Sequence, residues 1–181
     1  YLRLPSGARD DIDRKRLAAA FLIGDQRQFD EDPRFGLVVL SEIAGRALSP
    51  AVNDPGTAIA IVGTLVRLFT LWGARVPDGE SVAGTNDRVE VPVLSVRDMF
   101  DDAFTSLARD GARSIEVAVR LQKAFWSLAQ LDDPSMRVVA VHHADTALAR
   151  ARLALELPLD VATLESVAAP MTDAAADPVR G

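Results

Sequence analysis

Residues 32–72 decide the fold: DPRFGLVVLSEIAGRALSPAVNDPGTAIAIVGTLVRLFTLW. The stretch opens on Asp32-Pro33 and uses the same pair again at Asp54-Pro55. An aspartate ahead of a helix accepts an otherwise free backbone N–H. A proline in the first helical position forfeits nothing, because its N–H would have had no partner. Two helix starts are therefore written here. After the first, Phe35, Val38, Val39, Ile43 and Ala47 recur at three- and four-residue steps, an apolar stripe down one face. Glu42 and Arg46 are spaced to pair one turn apart on the other side. Ser49-Pro50 stops this helix. After the second start, Ile59, Val62, Val66 and Phe69 form one stripe, with Ile61, Leu65 and Leu68 beside it. So wide an apolar belt predicts burial on more than one side, which makes this the expected central helix. A tight, self-satisfied corner joins the two.

Upstream, Ile12, Leu17, Ala20 and Phe21 fall near one face of a helical pattern over 10–23. Leu2-Arg3-Leu4 alternates and then meets Pro5-Ser6-Gly7, the pattern of a strand end and a turn. Because the sequence opens on Tyr1 and not on an initiator Met, residues 1–9 are expected to be the remnant of an upstream segment. Downstream, 73–88 is rich in Gly, Pro, Asn, Asp and Ser and reads as a long loop. Residues 89–93 suit a short edge strand, since Pro92 is unfit for a central one.

Three helices follow: 95–108 from a Ser95-x-x-Asp98 cap, 113–131, and one from a third pair, Asp133-Pro134, to about 155. A shorter helix is expected after Asp160, and a frayed tail over 171–181. No internal repeat of fixed period is present, only the recurring cap. The prediction is a mainly α protein, a compact bundle of about six helices with at most short N-terminal and mid-chain edge strands. Residues 1–181 are expected to form a single soluble domain.

A chain of 181 residues buries roughly 70% of the surface it exposes when unfolded, so it needs no metal or disulfide staple. It has no cysteine, which removes disulfides, thiolate nucleophiles and cysteine zinc sites together. Net charge is −6, and the 20 basic residues are scattered among 26 acidic ones without a basic stripe. Nucleic acid is excluded as an expected partner on that ground. The most apolar run, 58–72, is interrupted by Arg67 and falls short of the ~20 residues of a spanning helix, so it reads as a core helix.

The densest polar cluster brackets the two apolar helices: Arg46, Ser49, Asn53, Asp54 and Thr57, with Arg27 and Asp32 upstream. Two readings stand side by side. In one, backbone N–H groups at the helix start join Arg46 and Asn53 around a pocket for a small anion, or for a hydrolase substrate. In the other, Asp54 caps its own helix and pairs with Arg46 as a structural knot. The second weighs more, because an N-cap aspartate already occupies the position an anion would take.

His142 and Asp145 have the spacing of metal ligands on one helix face, but only two such groups lie there, so they are weak metal candidates. His143 falls among Met136, Val139, Ala140 and Ala147 and reads as a core histidine. Asp98, Asp101 and Asp102 form an acidic cluster at the start of the Ser95 helix, where the helix dipole favours carboxylates; a divalent-cation site is the alternative, and a solvated face weighs more. Phosphate-binding glycine loops, calcium loops and the Gly-x-Ser-x-Gly elbow are missing. No catalytic residue, metal or cofactor is indicated.

The run Arg46-Ala47-Leu48-Ser49-Pro50-Ala51-Val52-Asn53-Asp54-Pro55-Gly56-Thr57-Ala58 resembles the signature of a bacterial family of predicted membrane proteins. That family is a domain of unknown function, numbered twenty-two fifty-four. Gly24-Asp25-Gln26-Arg27 and Asp32-Pro33-Arg34-Phe35-Gly36 are similar to its other recurrent segment. Family members usually carry Gly-Ile at Ala51-Val52 and Thr at Gln28. The resemblance implies a parent anchored by N-terminal membrane helices, with this chain as its soluble C-terminal domain; that domain is expected on the cytoplasmic side. It implies no activity. With the wide apolar belt, the expectation is a homo-oligomeric module that assembles, regulates or senses without catalysis. The anion binder or hydrolase at the Arg46–Thr57 turn is the alternative.

Overall fold

Each Asp-Pro pair opens a helix in the computed structural model, which describes residues 14–19, 24–25, 27–29, 32–74 and 94–176. Asp32 Oδ1 accepts the Phe35 N–H at 3.0 Å and Asp54 Oδ1 that of Thr57 at 3.0 Å. Asp133 Oδ1 takes those of Ser135 and Met136 at 2.8 and 3.1 Å. Seven helices lie among the described residues. A short α1 (Arg14–Ala19) precedes six long ones: α2 (Pro33–Ala47), α3 (Pro55–Gly73), α4 (Val96–Asp110), α5 (Ile115–Ala129), α6 (Pro134–Ala154) and α7 (Pro158–Ala176). The protein is mainly α, as the periodicity predicts. The strands expected at 2–4 and 89–93, the remnant at 1–9 and most of the 73–88 loop lie outside the described residues.

Long-range side-chain contacts fix how the helices stack. Arg34 meets Asp98 and Asp102, Ser41 shares a hydrogen bond with Ser106, and Gly45 lies against Asp110. The partner numbers rise together, so α2 and α4 run parallel. By the same logic α4 is parallel to α6, since Asp101 meets His143 and the Thr105 carbonyl accepts from Arg150. In a second layer Gly63 faces Arg120 and Gly73 faces Leu131, which makes α3 and α5 parallel. Between the layers, Gln122 bonds the Ala144 carbonyl and Arg137 that of Ala129, so α5 and α6 are antiparallel. α7 packs on α5 and α6. Three helical hairpins, α2–α3, α4–α5 and α6–α7, are thus stacked in one direction, each touching its neighbours. The recurrence is of geometry, with no fixed sequence period beneath it.

The core lies between the layers and is built on Phe69, Phe100, Phe104 and Phe125, each 2% exposed or less. Ring centroids are 4.4 Å apart for Phe69–Phe100, 5.3 Å for Phe100–Phe104 and 5.0 Å for Phe104–Phe125. Its centre is α4 and α5. The expectation of a central α3 is corrected: α3 packs on α2 and α5 and stands at the edge of its layer. Ile61, Val62, Leu65 and Phe69 turn inward, while Leu68 and Leu71 are 42% and 60% exposed. The apolar belt is wide, but neighbours cover only part of it.

A second difference concerns the C-terminus. α7 starts at Pro158, earlier than expected, and continues through Pro170 to Ala176. Proline withholds one helical N–H. Leu164, Ala168 and Met171 are buried, and the helix continues past the proline. Residues 177–181 lie outside the described ones.

Candidate functional site

The α2–α3 corner is the most polar local structure that the sequence singles out. Its backbone is tied by a run of short-range hydrogen bonds. The Leu48 N–H donates to Ala44 O, Ser49 N–H to Arg46 O, and those of Val52 and Asn53 both to Ser49 O, at 2.8–3.2 Å. The Asp54 N–H returns to Ala47 O at 2.8 Å and ties the start of one helix to the end of the other. Asn53 has φ +47°, the left-handed conformation that asparagine tolerates better than most side chains.

The corner's side chains are spent locally as well. Ser49 Oγ donates to Arg46 O at 2.7 Å. Asp54 accepts both the hydroxyl and the backbone N–H of Thr57. Those two bonds, the hydroxyl foremost, hold its carboxyl below the usual aspartate range. Among the described residues no ion pair joins Arg46 to Asp54 or to Glu42. The knot is therefore Asp54 with Thr57, and Arg46 contributes its carbonyl while its side chain stays exposed.

Arg27 does not join this cluster. It pairs with Asp32 at 2.6 Å and lies over the Phe35 ring, 4.9 Å from the centroid, at the opposite end of α2. Fifteen helical residues put about 22 Å between the two ends. The pairing with Arg27 also holds the Asp32 carboxyl below its ordinary range.

Near the Arg27 end, an apolar groove of about 680 Å³ opens between α2 and α3, lined by Phe29, Leu37, Leu40, Leu68, Leu71 and Trp72, with Met99 of α4 beside them. None of Arg27, Arg46, Ser49, Asn53, Asp54 and Thr57 lines it. Apart from the Trp72 indole, its side chains offer no hydrogen-bonding group. Small polar ligands are oriented by a few placed polar groups, which this groove does not supply. It suits another apolar surface. Phe29 and Leu71 escape a reading by stripes, because each counts only once the other is brought beside it.

The carboxylates of α4 do more than face water. Arg34 forks onto half-buried Asp102 at 2.6 and 3.1 Å and reaches Asp98 at 3.3 Å, while Asp98 and Asp101 stay exposed as the solvated-face reading expects. Asp101 Oδ1 lies 3.1 Å from His143 Nε2, without the alignment of a hydrogen bond. His143 is the core histidine its spacing predicts: 6% exposed, with the rings of Phe100 and Phe125 at 5.6 and 6.0 Å. His142 and Asp145 are exposed, and among the described residues no three metal-ligating side chains gather.

Burial pushes the His143 pKa below its ordinary value, with the Asp101 charge opposing. The unfolded chain then binds a proton that the folded one resists. Stability from this group is complete above about pH 6.5 and is lost as pH falls from there through the folded value. Tm should accordingly be lower at pH 5.5 than at pH 7.5, and His143→Gln should flatten that slope. Equal slopes in both proteins would assign the effect to another group.

Comparison with known proteins agrees with the corner motif. Uncharacterized protein Rv1290c of Mycobacterium tuberculosis (strain ATCC 25618 / H37Rv) is 34% identical over 119 residues, covering 64% of this chain and 23% of the relative. Uncharacterized protein Mb1321c of Mycobacterium bovis (strain ATCC BAA-935 / AF2122/97) matches with the same figures, 34%, 64% and 23%. The matched stretch thus spans about a quarter of these relatives. No solved structure matches the chain. A family profile matches residues 2–127, from before α1 to near the end of α5, and the chain belongs to that family, described as predicted membrane protein (DUF2254).

Proposed function

We propose that this domain is a non-catalytic assembly module of a membrane-associated protein, joining a second copy of itself through the outer face of the α2–α3 hairpin. The observation that carries this is the open apolar groove at the end of the stack. Phe29 and Leu71, each 60% exposed, stand at its rim as knobs beside a recess. A two-fold axis can satisfy such a surface by seating the knobs of each copy in the groove of the other. Stacked-hairpin proteins ordinarily close their ends with a polar helix face. α3 instead carries Arg67 as its single charge. Exposed apolar patches of this kind mark interaction sites.

The family description supports placing the parent at a membrane. α3 is also long and apolar enough to cross one by length and composition, with 28% of the apolar window buried. Its packing on α2 and α5 supports its role as a helix of this domain. Attachment through segments outside this chain, with the domain on the cytoplasmic side, belongs to the same proposal. The alternative, an anion binder or hydrolase at the Arg46–Thr57 turn, has less behind it, because Ser49, Asp54 and Thr57 already satisfy one another or the backbone.

Analytical ultracentrifugation tests the assembly. Leu71→Glu should weaken self-association by ~30-fold or more, the effect of losing an interface hot spot. Helical circular dichroism should be unchanged, since Leu71 is exposed. A wild-type chain that sediments as a monomer at its highest attainable concentration rejects the proposal.

A further inference from the structure

We propose that the α3–α5 face docks onto an anionic phospholipid surface, with lipid phosphate held between Arg67 and Arg120 above Gly63. A methyl group on Gly63 would lie 3.1 Å from Arg120 Nη2 and 4.0 Å from Arg67 Nη1, so the two guanidinium groups converge over this one bare residue. Both side chains are exposed, and among the described residues neither is ion-paired. Among the described residues Arg67 holds the Thr64 hydroxyl, at 2.9 Å. The arginines at 27, 34, 109 and 152, in contrast, each hold a carboxylate. Two like charges brought together without an acid leave a site that an oxyanion completes, and the planar guanidinium fork matches phosphate oxygens.

The surroundings point the same way. α3 contains no Asp or Glu, and α5 contains only Glu116, whose carboxylate accepts the Ser114 hydroxyl at the helix start. Lys123, exposed one turn beyond Arg120, adds a third cation. Because α3 and α5 run parallel with Gly63 beside Arg120, Arg67 and Lys123 stand at similar heights. In a chain of net charge −6, this face is positive. Trp126 is half-buried on α5. Arginine and lysine beside tryptophan is the chemistry of a lipid headgroup boundary. The groove proposed for self-association lies on the α2 flank of α3 and these cations on its α5 flank, so either proposal can fail alone.

Co-sedimentation of the whole chain with vesicles tests the inference. Vesicles of mixed phosphatidylglycerol and phosphatidylcholine should bind the wild type, and vesicles of phosphatidylcholine alone should not. Arg67→Gln and Arg120→Gln should each lower the partition coefficient about fivefold, as expected for one cation at a charged bilayer. Both side chains are exposed, so circular dichroism should show each variant folded. Arg97→Gln, the same charge change on α4, should have little effect. Equal binding to the two vesicle types, or an Arg97→Gln loss as large as that of Arg120→Gln, overturns the proposal. Inorganic phosphate supplies the other arm: if it raises Tm through Arg67 and Arg120 while vesicles do not bind, the site takes free phosphate and the lipid assignment is wrong.

Discussion

Phe104→Ala is expected to cost about 3–5 kcal/mol of folding stability, the range for emptying a phenylalanine site in a packed core. Phe104 is wholly buried, and its ring lies 5.7 Å from Phe69, 5.3 Å from Phe100 and 5.0 Å from Phe125. Those rings come from α3, α4 and α5, and His143 of α6 lies 6.4 Å away. One side chain therefore joins both layers. Removing it leaves a void bordered by stiff aromatic rings, which collapse poorly into it. Set against a total of about 5–15 kcal/mol for a domain, such a loss approaches unfolding. Urea denaturation followed by circular dichroism measures it. A loss below ~1 kcal/mol would mean that the rings do not close on one another.

The second large effect is expected at Gly111, which ends α4. Its φ is −83°, so alanine has no backbone conflict there. Space is the obstacle. A Cβ would come within 2.6 Å of Val117 Cγ1 and 2.9 Å of the Leu107 carbonyl oxygen. Val117 is fully buried, and the carbonyl is already bound to the Gly111 N–H at 2.8 Å. Neither neighbour can withdraw freely, so Gly111→Ala should cost about 1–3 kcal/mol. Adding Val117→Ala should cost less in that background than in the wild type, because the two changes share one clash. If Gly111→Ala instead raised stability by the ~0.4–1 kcal/mol that a less flexible unfolded chain can give, the close approach would be disproved.

Helix starts were legible because their signals are local. Asp32-Pro33, Asp54-Pro55 and Asp133-Pro134 each place a carboxylate and a ring where the first turn needs them, and each opens a helix. Stacking order was not legible. The parallel register of α2 and α4 rests on Arg34 with Asp102 and Ser41 with Ser106, partners separated by 68 and 65 residues. No neighbouring residue announces such a pairing. The width of the α3 stripe shows how much of that helix avoids water, but not which neighbour covers it, and that is why α3 looked central and proved to be at the edge. The tail after Pro170 is poor in large apolar residues, yet α7 continues through Ala176, with Met171 buried just beyond the proline. At the candidate site, the capping roles of Asp54 and Ser49 follow from residue type and position. The Arg67–Arg120 meeting required the α3–α5 packing to be seen.

The stacking has a mechanical consequence. The first hairpin packs extensively on the second, but not on the third. Among the described helices cohesion is therefore passed along a line, and only α4–α5 is clasped on both sides. Such a molecule opens by peeling from its ends, with amide hydrogens in the middle exchanging last. An occupant seated against the outer hairpin would slow the peeling at that end and leave the other as it was.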